Sequence, residues 1–135
     1  MEQKLVVHFQ DGKILKGVSH DFFPNKNCFH LGINHQVSGV KPLAVYMSEL
    51  KAVFFVKDFV GDKEFNELKD FSASQDSTYG KKIMVHLKDG ESLCGFTQGY
   101  SPNRQGFFLF PLDSQSNNLK AFILQSFIKK VDLPD

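Results

Sequence analysis

The chain predicts an all-β protein built from two small five-stranded barrels in tandem, packed together. Three observations predict it. The stretch Lys4–Leu31 returns as Lys82–Leu109 at a constant offset of 78 residues, with no gap. Within each copy apolar residues alternate with a period of two, as in half-buried strands, and no segment of either copy keeps a helical period. Turns rich in Gly, Pro and Asn fall at matching places in both copies.

Of the 28 positions aligned by that offset, 11 are identical: Lys4/Lys82, Val7/Val85, His8/His86, Asp11/Asp89, Gly12/Gly90, Leu15/Leu93, Gly17/Gly95, Pro24/Pro102, Asn25/Asn103, Phe29/Phe107 and Leu31/Leu109. A repeat of this kind is a statement about architecture. Each copy supports only about 55 residues, a size at which an isolated core is marginal, so the copies are expected to pack on each other.

The elements follow in order. Leu5, Val7 and Phe9 alternate with Val6, His8 and Gln10 as a first strand. Asp11-Gly12 is a hairpin signal, since Gly accepts the positive φ that such turns require. Lys13–Ser19 reads as the second strand, with Gly17 marking a tight bend. Pro24-Asn25-Lys26-Asn27 is a turn, Cys28–Leu31 a third strand, and Gly32–Lys41 a polar loop. Pro42–Met47 and Lys51–Val56 are strands four and five, separated by a brief turn at Ser48-Glu49-Leu50. The second copy repeats the plan. Lys82–Leu87 and Glu91–Gln98 flank the turn at Asp89-Gly90; Gly106–Phe110, Leu119–Leu124 and Phe127–Asp132 follow, with a polar loop at Asp113–Asn118 and a turn at Gln125-Ser126.

These elements divide the chain into a first repeat (1–57), an acidic connector (58–80) and a second repeat (81–135). The first segment carries +3, residues 58–76 carry −4, and residues 77–135 carry +2, for a net +1. That balance is not the strong basic footprint of a nucleic-acid binder. Phe59, Phe65, Leu68 and Phe71 are too many large apolar groups for a solvated tether, so we expect 59–71 to dock on a barrel. Ser72–Thr78 reads as a flexible linker. No run approaches the ~18 apolar residues of a membrane span, and Met-Glu-Gln-Lys at the start lacks a signal peptide's apolar segment. The chain is expected to be soluble and cytoplasmic. Cys28 and Cys94 occupy different repeat positions and read as reduced, buried thiols.

The pattern Val-x-Phe-x-Asp-Gly-x-x-Leu-x-Gly resembles the first motif of Sm-like proteins. Val7, Phe9, Asp11, Gly12, Leu15 and Gly17 match it, as do Val85, Leu87, Asp89, Gly90, Leu93 and Gly95. The resemblance implies the Sm-like (SH3-like) barrel. The whole chain, with its phrase Lys51-Ala-Val-Phe-Phe-Val-Lys-Asp-Phe59, resembles an uncharacterised bacterial domain family with two such repeats, related domains of which occur beside PilZ-type cyclic-di-GMP receptor domains. The chain has neither Arg-x-x-x-Arg nor Asp/Asn-x-Ser-x-x-Gly, so binding of that nucleotide is not implied. Sm-like proteins bind single-stranded RNA through two loops. The first maps onto Asp21 and Asn25, and onto Asn103. At the second, Ser48-Glu49 and Gln125-Ser126 supply neither a cation nor a glycine, which argues against RNA because phosphate contacts supply much of the affinity.

The repeated loops Phe22–Asn27 and Tyr100–Gln105 are the candidate ligand site. Each sets an aromatic, an amide and a cation together: Phe22, Asn25 and Lys26, then Tyr100, Asn103 and Arg104. Such a trio can hold a base or a phosphate; it also reads as a barrel plug beside a turn kept for shape. His8 and His86 share one repeat position and read as ordinary strand histidines. His30 and His35 have no acid or Cys at ligand spacing, and Asp11 and Asp89 are explained by their turns. No nucleophile–base pair or phosphate-cradling loop is visible, so no enzyme, cofactor or metal is expected. We expect a non-catalytic binding or adaptor module for a protein partner in bacterial signalling or regulation. The alternative is a binder of single-stranded RNA or nucleotide through the repeated loops. A monomer is expected, with a dimer as the alternative, the two repeats meeting through strand edges, which would close a pseudo-twofold, or through adjoining apolar faces.

Overall fold

The computed structural model describes residues 3–33, 41–57, 80–101, 103–111 and 118–133. The first half contributes β1 (Gln3–Phe9), β2 (Ile14–Ser19), β3 (Cys28–Leu31), β4 (Leu43–Tyr46) and β5 (Leu50–Val56). The second contributes β6 (Lys81–Leu87), β7 (Ser92–Thr97), β8 (Gly106–Pro111), β9 (Asn118–Leu124) and β10 (Ile128–Asp132). A single 3-10 turn stands between the last two strands of each half, at Met47–Glu49 and Gln125–Phe127. The expected docking of 59–71 lies outside the described residues.

The two halves bond alike. Phe9 N–H donates to Lys13 O and Leu87 N–H to Glu91 O, closing the first hairpins. Asp11 and Asp89 each accept from the backbone two residues on, at 2.9 and 3.0 Å. Gly12 and Gly90 take φ of +95° and +91°, with open space where a Cβ would stand, so conformation rather than room requires glycine there. Gly17 and Gly95 are glycine for the opposite reason. A Cβ would come within 2.7 Å of Gly32 O and 2.4 Å of Phe110 O, backbone of the segment that bridges or pairs with the second strand there.

The strands form one large sheet and one small ladder. One eight-stranded sheet runs β10-β6-β7-β8-β9-β5-β1-β2, and β3-β4 form a separate two-stranded ladder, tied to β2 by a bridge from Val18 to Gly32. The halves are joined where β5 pairs antiparallel with β9, Val53 opposite Phe122 and Phe54 opposite Ala121. Of the two expected modes of contact, strand edges and adjoining apolar faces, edge pairing joins the halves. The matching pair, β4 with β10, does not form among the described residues, so the arrangement is one-sided rather than a pseudo-twofold.

Packing explains why the junction holds. Phe122 and Leu124 of β9 are buried in the first half's core with Phe22, Phe29 and Phe55. Ala52 of β5 is buried in the second half's core with Ile83, Val85 and Ile123, and Phe54 packs against it. The junction strands are thus covered on both faces, and each half lends side chains to the other's interior. Burying Phe122, 1% exposed, contributes roughly 2–3 kcal/mol to holding the halves together. Polar contacts follow the same seam: Lys51 reaches Asp89 at 2.7 Å and Glu91 at 2.8 Å, and Gln10 Nε2 donates to Leu50 O and Ser126 Oγ.

Candidate functional site

The junction creates a groove of about 1120 Å³ between the two repeated loops. Its first wall is the turn Pro24–Asn27 with Cys28, where Lys26 N–H bonds Phe23 O and Asn27 O accepts from Met47 N–H. Its second wall is Thr97–Gly99 facing Arg104–Phe108. These segments splay apart because β7 pairs with β8 only at Gly95–Pro111 and Phe96–Phe110. Gln105 stitches the walls together, its Nε2 donating to Pro24 O at 3.0 Å and Lys26 O at 2.8 Å.

The groove is cationic and rich in amides. Lys26, Arg104, Asn25, Asn27, Gln98 and Gln105 line it, and no carboxylate does so among the described residues. Lys26 Nζ lies 4.6 Å from the centroid of the exposed Phe23 ring. Phe107 and Phe122 form part of the floor but are only 4% and 1% exposed. Phe108 offers its edge, with Lys120 Nζ held over its ring at 4.4 Å.

Of the residues singled out in sequence, Asn25, Lys26 and Arg104 come together here. Phe22 does not; it is the plug of the first core, edge-on to Phe29, Phe55 and Phe122. Tyr100 likewise packs edge-on against Phe107 at 5.0 Å, half-buried. Asn103 is exposed and outside the lining, its N–H bonded to Ser101 Oγ. Gln98 and Cys28 were missed, and Gln105, the last residue of the second loop, was not singled out within it. The only sequence signal was for Gln105, which occupies the repeat position of Asn27 and so conserves an amide.

Two other polar constellations are structural in form. Asp21 accepts from His30 N–H at 2.8 Å and pairs with His30 Nδ1 at 2.7 Å, while Ser19 Oγ donates to it. Burial works to raise its carboxyl, but the His30 and Ser19 bonds outweigh that and hold it below the ordinary range. The acid lacking at ligand spacing from His30 in sequence is therefore supplied from the preceding turn, as a hydrogen-bond partner. In the second half His86 sits between Ser92 Oγ (3.0 Å from Nδ1) and Asp132 (2.8 Å from Nε2). A catalytic triad has the opposite ring polarity and a buried acid, whereas the Asp132 side chain is 44% exposed. In the first half the same three positions are His8, Ile14 and Phe54, with His8 edge-on to Phe54 at 4.7 Å.

The described residues thus define an all-β protein of two interlocked halves with a cationic, amide-rimmed groove between them. They contain no cluster of three His, Cys, Asp or Glu able to hold a metal ion, and no helix long and apolar enough to cross a membrane. The chain belongs to DUF6982, a family of unknown function whose model matches residues 1–134. No curated protein and no solved structure matches it.

Proposed function

We propose that this protein is a non-catalytic binding module made of two Sm-like repeats, which receives an extended segment of a protein partner in the groove between its halves. The observation that carries the reading is the pairing of the loops across the junction, which places Lys26 and Arg104 on one apolar-floored groove. The strand order fifth-first-second-third-fourth, continuous in the second half and carried in the first across the single Val18–Gly32 bridge, supports the Sm-like description. β7 and β8 share no ladder pair beyond Phe96–Phe110, which leaves room for an extended chain between Thr97–Gly99 and Gly106–Phe108. A partner in bacterial signalling fits the chain's resemblance. RNA or nucleotide is the weaker reading, because base stacking needs open aromatic faces, and of the rings lining the groove Phe107 and Phe122 are buried, Phe108 lies under Lys120 and Phe110 is half-buried.

The test is selection from a random peptide display library on the intact protein, with Lys26→Glu/Arg104→Glu as the counter-target. The reading predicts enriched peptides that pair a carboxylate with apolar residues and lose at least about tenfold in affinity on the variant, about 1.4 kcal/mol. No enrichment would contradict it. So would anisotropy showing tight binding of oligo-U, oligo-A or a cyclic dinucleotide that weakens with salt and vanishes in Lys26→Ala/Arg104→Ala, which would establish the nucleotide reading instead.

A further inference from the structure

The groove has one anchored wall and one tethered wall. Gly106 pairs with Leu124 of β9, so closely that a Cβ there would come within 2.4 Å of Ile123 O. Gln105 is fixed beside it, its carbonyl accepting from Gln125 N–H at 2.9 Å, and Arg104 N–H closes a turn on Ser101 O. The cation of this wall thus stands on backbone bound to a junction strand.

The facing wall is held differently. Phe23–Asn27 are exposed, and the tip Pro24–Lys26 is braced within its own turn by Lys26 N–H on Phe23 O and by Lys26 Nζ, 4.6 Å from the Phe23 ring centroid. Its polar contacts with the rest of the protein, among the described residues, are the two that Gln105 Nε2 donates, to Pro24 O at 3.0 Å and to Lys26 O at 2.8 Å. The two acceptors flank Asn25, so one carboxamide uses both of its N–H groups to fix the tip. At the repeat position, Asn27 O also accepts from a turn amide, that of Met47. Its side chain, one methylene shorter, makes no such crossing to the other half among the described residues.

We infer that Gln105 is the positioning residue of the groove: it holds Lys26 at a fixed place opposite Arg104, so that both cations engage one acidic segment together. This role rests on the groove being a peptide site, as proposed above. Neither cation pairs with a carboxylate among the described residues, so both are open to a ligand. A tip without its tether must be ordered when the ligand binds, and that ordering subtracts from affinity; a tip already held avoids the loss. Removing Gln105 therefore takes away the contribution of Lys26 and spares that of Arg104.

The probe is a fluorescein-labelled hexapeptide of alternating glutamate and valine, titrated into the intact protein by anisotropy. Gln105→Met keeps the length of the side chain and removes both donors. It should weaken the probe about fivefold. In its background Lys26→Ala should cost less than about twofold, whereas Arg104→Ala keeps the cost it has in the natural chain. A side chain that acted only on stability would not separate the two cations in this way. In the free protein, amide relaxation should show the order parameters of Asn25–Asn27 falling from about 0.85 toward about 0.6 in Gln105→Met, with β5 and β9 unchanged. Equal costs of Lys26→Ala in both backgrounds, or unchanged order parameters at the tip, would overturn the inference and leave the peptide site standing. A probe that failed to bind the natural chain would overturn the peptide reading and this role with it.

Discussion

Glycine positions that look equivalent in sequence do different work, and substitution separates them. At Gly12 an alanine meets open space but must adopt φ of +95°, which costs about 1–2 kcal/mol, and asparagine should recover part of that loss. At Gly95 the cost is steric, since the added Cβ would lie 2.4 Å from Phe110 O and 2.9 Å from two Leu109 side-chain carbons. We expect Gly95→Ala to lose about 3 kcal/mol in urea unfolding, the upper end of overpacking costs, with no rescue by asparagine. Charged residues at the seam contribute to the pH dependence of stability. His8 is held below its ordinary 6.5 by burial first and by the Lys51 ammonium second, against the pull of Glu91. The unfolded chain therefore takes up that proton more readily, so stability falls as the pH drops below 6.5. His8→Phe should flatten the denaturation midpoint between about pH 7 and 5. Asp89 is lowered from 3.8, chiefly by its bond from Lys51, so its contribution is present above that value and is lost as the pH falls through the folded-state value. Lys51 is raised from 10.5, burial being outweighed by Asp89 and Glu91, so its contribution is lost only as the pH rises through its folded-state value. Asp89→Asn should cost about 0.5–1 kcal/mol at neutral pH and diminish the loss of stability below about pH 4.

At the scale of elements, β5 and β9 carry the architecture. Each is apolar on both faces because a different core lies against each face. Phe122→Ala, made in the second half, should therefore cost about 3–5 kcal/mol by emptying space in the first, which thermal or urea unfolding will read directly. The strands themselves were legible in sequence: the predicted Cys28–Leu31 is β3 residue for residue, and the others agree to within a residue or two at their ends. Their partnership was not. Alternation reports which face of a strand is buried, and a strand buried on both faces reads only as an apolar run, without naming what covers it. The candidate site divided in the same way. Lys26 and Arg104 were visible as a repeated cation beside a turn, whereas Phe22 and Tyr100 differ from stacking aromatics only by burial, which a repeat pattern does not encode.

For the whole molecule, the groove is a product of assembly rather than of either half. Its walls come from Pro24–Cys28 on one side and from Thr97–Gly99 with Arg104–Phe108 on the other, and they adjoin because β5 and β9 pair. We propose that the chain is a monomer, since β10 is charged where β5 is apolar; light scattering should return the 15.3 kDa of one chain. The central claim is that the halves form one cooperative body, and native-state hydrogen exchange across a denaturant series tests it most directly. The amides of β1 and of β6, one strand from each half and neither at the junction edge, should share one opening free energy and one denaturant dependence. Two separate plateaus, with β6–β8 opening while β1 and β2 remain protected, would contradict the account.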